Sequence, residues 1–277
     1  MNAGLEAHHA SVVYYDADYP SVGLTDFPEN LDETIHYQGI ADDVSRYRAI
    51  ARSIEGPILE LCAGTGRVAI PLAIDGHRVT AVDVSRGMLD RFEANLRHQP
   101  SGVAERVKLV EQDITQLDLP RRDFALAIIA FNSLLCIADF SGQRRALRNA
   151  AQHLSPGGML VLDVVNPLQL KIQGDPIPKP FFTRRNPHNG NTYTRFAAMG
   201  PFDEEHRQRL HGWYDEIASE GTVKRAPYSL HWRPIFRHEL ELMLEEAGFE
   251  PLPIEGGHRE EPYTAQSPRM FVQARRR

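Results

Sequence analysis

Between Pro57 and Val165 the chain alternates apolar runs of strand length with helical stretches, and this alternation restricts the fold to a parallel sheet covered by helices. The runs are PILEL, RVTAVDV, VKLVEQDI, FALAIIAF and MLVLDVV. FALAIIAF is apolar almost throughout, as suits a strand buried on both faces. Between them, RVAIPLAIDG predicts a helix ending at Gly76, with Pro71 in its early turns where a missing N–H does least harm. Ser85 caps a helix running to about Leu96, and a helix over 142–154 ends in Ser155-Pro156-Gly157-Gly158. Upstream, IADDVSRYRAIARSI places Val44, Tyr47, Ile50 and Ala51 on one helical face before Gly56-Pro57.

Beyond Pro167 the pattern changes. Three runs alternate with period two, NTYTRFAAM, RQRLHGWYDEI and RAPYSLHWRP, and predict an antiparallel meander. PIFRHELELMLEEAGF returns to a helix with Phe236, Leu240, Met243 and Leu244 on one face and Gly248 at its end. Two last strands follow, near EPLPIEGG and SPRMFVQAR. The fold class is α/β: a doubly wound, mostly parallel, Rossmann-like sheet of seven strands with an antiparallel β lid inserted after strand five. The expected division is an N-terminal lid segment (1–41), a ligand-binding core (42–166), an inserted lid (167–229) and a closing part of the core (230–277).

Thirty-one Lys and Arg against thirty-seven Asp and Glu leave a charge of −6 over 277 residues, which argues against a continuous basic face for nucleic acid. The only basic run is Arg275–Arg277. Cys62 and Cys136 cannot build a disulfide framework or a zinc site, and no metal centre is expected. No stretch approaches the roughly 20 apolar residues of a membrane span. A cytoplasmic protein acting on a small molecule is expected, with no nucleic acid or membrane partner and a homodimer allowed.

The segment that bears most on function is ILELCAGTGRVAIPLA. A strand runs into Gly64-Thr65-Gly66, so backbone can approach a ligand at the C-terminal edge of the sheet, where open α/β folds bind small molecules. A plain tight turn would look the same. GTGRVA also satisfies a loose dinucleotide fingerprint, with Ala69 in its third position. Three carboxylates favour a richer site: Glu60 in the strand, Asp83 ending the second strand 19 residues after Gly64, and Asp113 ending the third. They suit, respectively, a ligand ammonium group, a ribose diol and an exocyclic amine.

In order and spacing, ELCAGTGR, VDVSRGML and EQDI resemble the motifs of class I S-adenosylmethionine-dependent methyltransferases, over about residues 40–166. The C-terminal FRHELELMLEEAGF and SPRMFVQARR resemble the closing helix and hairpin of the branch containing small-molecule methyltransferases. One departure is that Cys62 precedes Ala63, where the family has a small residue and then Cys. The resemblance implies S-adenosyl-L-methionine as cofactor. Glu60 and the Gly64–Gly66 backbone would hold its methionine part, Asp83 the ribose, Met88 the adenine face, and Asp113 and Ile114 the adenine edge, with Ala63 and Val84 among the cofactor contacts. Phe131 would complete that set.

Transfer from a sulfonium is an in-line displacement in which positioning can supply most of the acceleration, so few catalytic residues are needed. The floor of the acceptor site is expected at Phe131-Asn132-Ser133, with Asn132 orienting donor or acceptor. The resembling branch closes its site with an N-terminal Tyr-Asp cluster, which makes Tyr14, Tyr15 and Tyr19 candidate acceptor contacts. In the meander His211, Trp213 and Asp215 share one face, as do Ser229, His231 and Arg233. If those faces meet over strand five, His211 and His231 are candidate general bases, with Trp213 and Arg233 contacting the acceptor. Asp139 and His188 fall in expected loops without further signal. The expected reaction is methyl transfer to a nitrogen or oxygen of a small molecule, nitrogen preferred. A nicotinamide-dependent oxidoreductase and a non-catalytic cofactor-binding module stand as alternatives.

Overall fold

The structure is a computed structural model that describes residues 9–20, 40–186 and 189–277. His188 and most of the expected 1–41 lid segment lie outside the described residues. Strands β1 (Ile58–Leu61), β2 (Val79–Asp83), β3 (Val107–Glu111), β4 (Phe124–Ile129) and β5 (Leu154–Val165) are parallel. Strands β10 (Phe249–Pro251) and β11 (Arg269–Arg276) close the sheet antiparallel, giving the order β10-β11-β5-β4-β1-β2-β3. Its order reverses direction between β1 and β4, which opens a crevice at their C-terminal ends.

Burial follows the sequence pattern. Every residue of β1 is buried: Leu59 and Leu61 join the apolar cluster on one face of the sheet, Ile58 the cluster on the other. Helix α3 (Ile40–Arg52) buries Val44, Tyr47, Ile50 and Ala51, while α4 (Ala69–Ile74) and α5 (Arg86–Arg97) pack on the same side. Ser85 caps α5 by accepting the Met88 amide at 3.2 Å, and Asp139 caps α6 (Phe140–His153) by accepting the Gly142 amide. The expected turn Ser155–Gly158 lies inside β5 as a bulge, with Gly157 at φ 77° and the register against β4 jumping from Leu154 to Met159. In α7 (Arg237–Glu246), Leu240, Met243 and Leu244 are buried as expected, but Phe236 sits at the N-cap and is exposed.

The insertion is a second sheet of four antiparallel strands in sequence order: β6 (Asp175–Arg185), β7 (Thr192–Phe202), β8 (Gln208–Ile217) and β9 (Val223–Trp232). The sequence reading missed β6, because Pro176, Pro178 and Pro180 argue against a strand. A strand at the margin of a sheet tolerates them, since its outer N–H groups have no partner to lose. Strand β9 also runs three residues past the expected boundary at 229. The inner face of this sheet carries Tyr193, Arg195, Tyr214, Glu216 and Tyr228, and with α1 (Ala10–Val13) and α2 (Tyr15–Asp18) it forms a small aromatic core.

Candidate active site

The glycine loop leaves β1 through Cys62, whose φ of 61° turns the chain sharply, and continues through Gly64 at φ 56° and Gly66 at φ 92°. At Gly66 a side chain is excluded twice over: the conformation is left-handed, and a Cβ would lie 2.5 Å from the Phe92 ring. Asp83 braces the loop from β2. Its carboxylate accepts the Gly64 amide and the Ser85 amide, each at 2.8 Å, and burial pushes its pKa up against those bonds.

Glu60 is 2% exposed, and its Oε2 has no hydrogen-bond partner among the described residues. Desolvation pushes its carboxyl up to about 8, against the attraction of Arg67 and the Ala69 amide. A buried acid with an open oxygen beside a glycine loop could hold a ligand cation. The sign of its pH effect follows. Between the ordinary 4.5 and about 8 the folded protein holds a proton that the unfolded chain has released. The stability linked to that proton is complete below 4.5 and is lost as pH rises through about 8. Glu60→Gln, uncharged throughout, should flatten the fall in melting temperature across that window; an equal slope in both proteins would mean that Glu60 titrates normally.

Of the other expected donor contacts, Met88 is 8% exposed in the first turn of α5, while Val84 is exposed beside Asp83. Ile114 is buried in the core, and Asp113 accepts the Thr115 amide at 2.8 Å. Ala63 is buried, with its amide bonded to the Val82 carbonyl. All of them follow the C-terminal ends of β1, β2 and β3. A separate surface groove of about 780 Å³, bordered by Arg46, Gly56, Ser155 and Arg275, opens at the other edge of the sheet and contains none of these residues.

At the end of β4, Phe131 and Asn132 have left-handed φ of 52° and 63°, strained for the phenylalanine and tolerated by the asparagine. Asp163 on β5 holds them there. Its side chain accepts the Phe131 amide at 2.6 Å, its carbonyl accepts the Asn132 amide, and Tyr47 and Arg269 also bond its carboxylate. Burial alone would raise the Asp163 pKa, but Arg269 foremost, with His258 and Tyr47, holds it far below the usual carboxylate range. Asn132 Oδ1 accepts from Val165 N at 2.7 Å and Arg269 Nη2 at 3.0 Å. The Asn132 amide oxygen is thus committed to the β5 backbone and to Arg269. Beside this group, Arg67 and Asp43 make a bidentate buried pair at 2.8 and 2.6 Å. Sequence reasoning missed Asp43, Asp163 and Arg269, because their partners lie 24 to 116 residues away and leave no local spacing signal.

The N-terminal segment spans the gap between the two sheets. Tyr15 lies 3.9 Å from where a Gly64 Cβ would stand, and Tyr19 packs edge-on against Phe131 at 4.9 Å. Tyr14 faces the other way, stacked on Tyr214 at 4.2 Å and donating to Glu216. Asp18 accepts from Tyr193, Tyr214 and Arg195, while Arg195 also donates to Tyr19 and Tyr228.

The expected histidines stand elsewhere. Strand register puts His211, Trp213 and His231 on the outer face of the second sheet, opposite the one bearing Tyr214 and Arg195. His231 is exposed there, and Trp213 stacks on Phe196 under the Arg225 guanidinium. Arg233 is buried, but its guanidinium is taken up by Gln143 at 2.8 Å and Glu239 at 2.6 Å. The period-two pattern marks both faces of such a strand and does not say which one turns inward.

A doubly wound sheet of this order, with an acid-flanked glycine loop at its switch point, is a Rossmann-like fold with its ligand crevice at the C-terminal ends of β1 and β4. Residues 58–158 match the family model described as a methyltransferase domain. The chain is a class I S-adenosylmethionine-dependent methyltransferase. It is 29% identical to the cypemycin N-terminal methyltransferase of a Streptomyces species, over 80% of this chain and 84% of that one. Among solved structures it is similar to the CcbJ methyltransferase of Streptomyces caelestis, at 26% identity and a TM-score of 0.71, covering 85% and 90% of the two chains. The sugar N-methyltransferase KedS8 of a Streptoalloteichus species shares the fold, at 21% identity and a TM-score of 0.68 over 91% and 96%. Among the described residues, no helix is long and apolar enough to cross a membrane.

Proposed function

We propose that the protein transfers a methyl group to an amine nitrogen of a small-molecule acceptor enclosed between the glycine loop, the N-terminal strap of residues 9–20 and the inner face of the second sheet. The observation that carries the donor half is the buried Glu60 with its open Oε2, set against the Gly64–Gly66 backbone and Asp83. When bound, S-adenosylmethionine supplies a methyl carbon activated by its positive sulfur. Glu60 accepts from the donor's ammonium group, and its carboxyl ionises as it gains that partner. Asp83 holds the loop and keeps acceptor capacity for the ribose hydroxyls, Met88 and Val84 border the base, and Asp113 and Ile114 lie at its edge.

Nitrogen is favoured by the acceptor side. Tyr15 stands beside the loop, and burial raises its phenol far above neutrality, as burial and Glu216 do for Tyr14. Asp18 is engaged by Arg195 and two tyrosines. None of these groups is poised to take a proton near pH 7. A neutral amine needs no base before attack, whereas a hydroxyl does. The names of two proteins resembling this one, an N-terminal methyltransferase and a sugar N-methyltransferase, point the same way. Tyr15, Tyr19 and Phe131 line the acceptor space, and Tyr14 holds the strap. The insertion acts as a lid over residues 167–229, with the chain returning to the core after it. His211, His231 and Arg233 have no part in the chemistry.

Calorimetry with S-adenosylhomocysteine tests the donor half. Tight binding is expected, weakened about 10- to 100-fold in Asp83→Ala, the scale of one or two lost charge-assisted hydrogen bonds. Absence of binding by the wild-type protein would overturn the assignment of the loop. Mass spectrometry of a panel of primary and secondary amines against matched alcohols tests the acceptor half, and methylation confined to the alcohols would reverse the preference.

A further inference from the structure

The strap meets the glycine loop at a second point, away from Tyr15. Asn95, on the face of α5 that looks toward the loop, donates from its one amide nitrogen both to Asp16 Oδ2 and to the Thr65 carbonyl, each at 3.1 Å. An amide NH₂ has two hydrogens, so both bonds form together. Arg91, one turn earlier, donates to the same Asp16 oxygen at 3.0 Å. Asp16 is 5% exposed and Thr65 fully buried. The junction also holds unused polar capacity: Asp16 Oδ1, Arg91 Nη2 and Thr65 Oγ1 are buried and make no hydrogen bond among the described residues. A buried set with spare donors and acceptors on three neighbouring residues is able to re-pair when the loop shifts.

We infer that Asn95 is a positioning residue that couples the donor loop to the strap, so that a donor seated on Gly64–Gly66 fixes Tyr15 and Tyr19 over the acceptor space. The inference rests on the donor reading proposed above. Thr65 is the central residue of the loop, and its carbonyl direction is set by the loop's conformation. Asn95 relays that direction to Asp16, which adjoins Tyr15 in the chain. On the other flank Asp18 is tied to Arg195, Tyr193 and Tyr214 of the second sheet. Strap position is therefore shared between loop and lid, and Asn95 supplies the loop's part. Coupling of this kind is reciprocal: whatever donor binding adds to strap docking, strap docking adds to donor affinity.

Hydrogen–deuterium exchange of the full chain, with and without S-adenosylhomocysteine, tests this at the Asp18 and Tyr19 amides, which bond the Tyr14 and Tyr15 carbonyls. In the wild-type protein the ligand should slow their exchange about 5- to 100-fold, the usual range of such coupling. In Asn95→Leu, of similar size but without the amide, that slowing should be largely lost, and affinity for S-adenosylhomocysteine should fall by a matching factor. Asp16→Ala, which removes the oxygen that accepts from Asn95, should show the same loss if Asn95→Leu proves unstable by thermal melting. Equal slowing in the wild type and both variants overturns the inference, as does a wild-type protein that binds the ligand without slowing exchange. A wild-type protein that does not bind the ligand overturns the donor reading itself, and calorimetry on the same samples separates the two failures.

Discussion

Gly66→Val should abolish S-adenosylhomocysteine binding and destabilise the protein by about 3 kcal/mol or more, the sum of left-handed strain and overpacking. The reason is local. Gly66 has a φ of 92°, and a Cβ there would stand 2.5 Å from Phe92, which is itself fully buried and cannot swing away. Gly64→Val is the matched control: φ is 56°, but the nearest atoms to its Cβ are those of the Tyr15 ring at 3.9 Å. It should cost only the backbone strain and act mainly on ligand binding. Equilibrium denaturation with calorimetry on both variants checks the pair. A Gly66→Val protein as stable as wild type would show that the Phe92 wall gives way.

Asp163→Ala should be the most destabilising substitution in the core sheet, by about 3–5 kcal/mol, because it leaves the buried Arg269 cation without its partner. It also removes the acceptor of the Phe131 amide and the Tyr47 hydroxyl. The two left-handed residues at the end of β4 are then held by fewer bonds, so the floor of the acceptor space should loosen along with the fold. Asp163→Asn keeps an oxygen for Tyr47 and Phe131 and should fall between the two. Urea denaturation midpoints measure the series. A loss of about 1 kcal/mol or less, the scale of an exposed ion pair, would show that the cluster is solvated.

Much of the core was legible in the sequence because its signals are local. The parallel strands announce themselves as apolar runs, Ser85 as a helix cap, and Gly64 and Gly66 as the turn after β1, whereas the cap at Asp139 carried no such signal. Glu60 and Asp83 stood out because they flank that turn at fixed spacing. What stayed hidden depends on long-range pairing. Asp163 finds Arg269 across 106 residues and Tyr47 across 116, distances that no local pattern encodes. The inward face of the second sheet is set by its register against the strap, so the choice between His211 and its neighbour Gly212, or between Trp213 and Tyr214, had no basis in the alternation alone. Strand β6 was missed because its prolines outweigh its length.

Those prolines have a consequence for the protein among its own copies. Among the described residues strand β6 is an edge of the second sheet, eleven residues long and carrying the exposed Ile177. A long, apolar, unpaired margin is a template onto which another chain can zip, and crowding makes that encounter frequent. Pro176, Pro178 and Pro180 each lack an N–H, and they fall where the register against β7 shifts, between Asp175 and Lys179 and between Pro180 and Phe182. The same feature that disguised β6 as a loop removes three of the donors that a second chain would need to pair with it, and so makes the second sheet a poorer template for its neighbours.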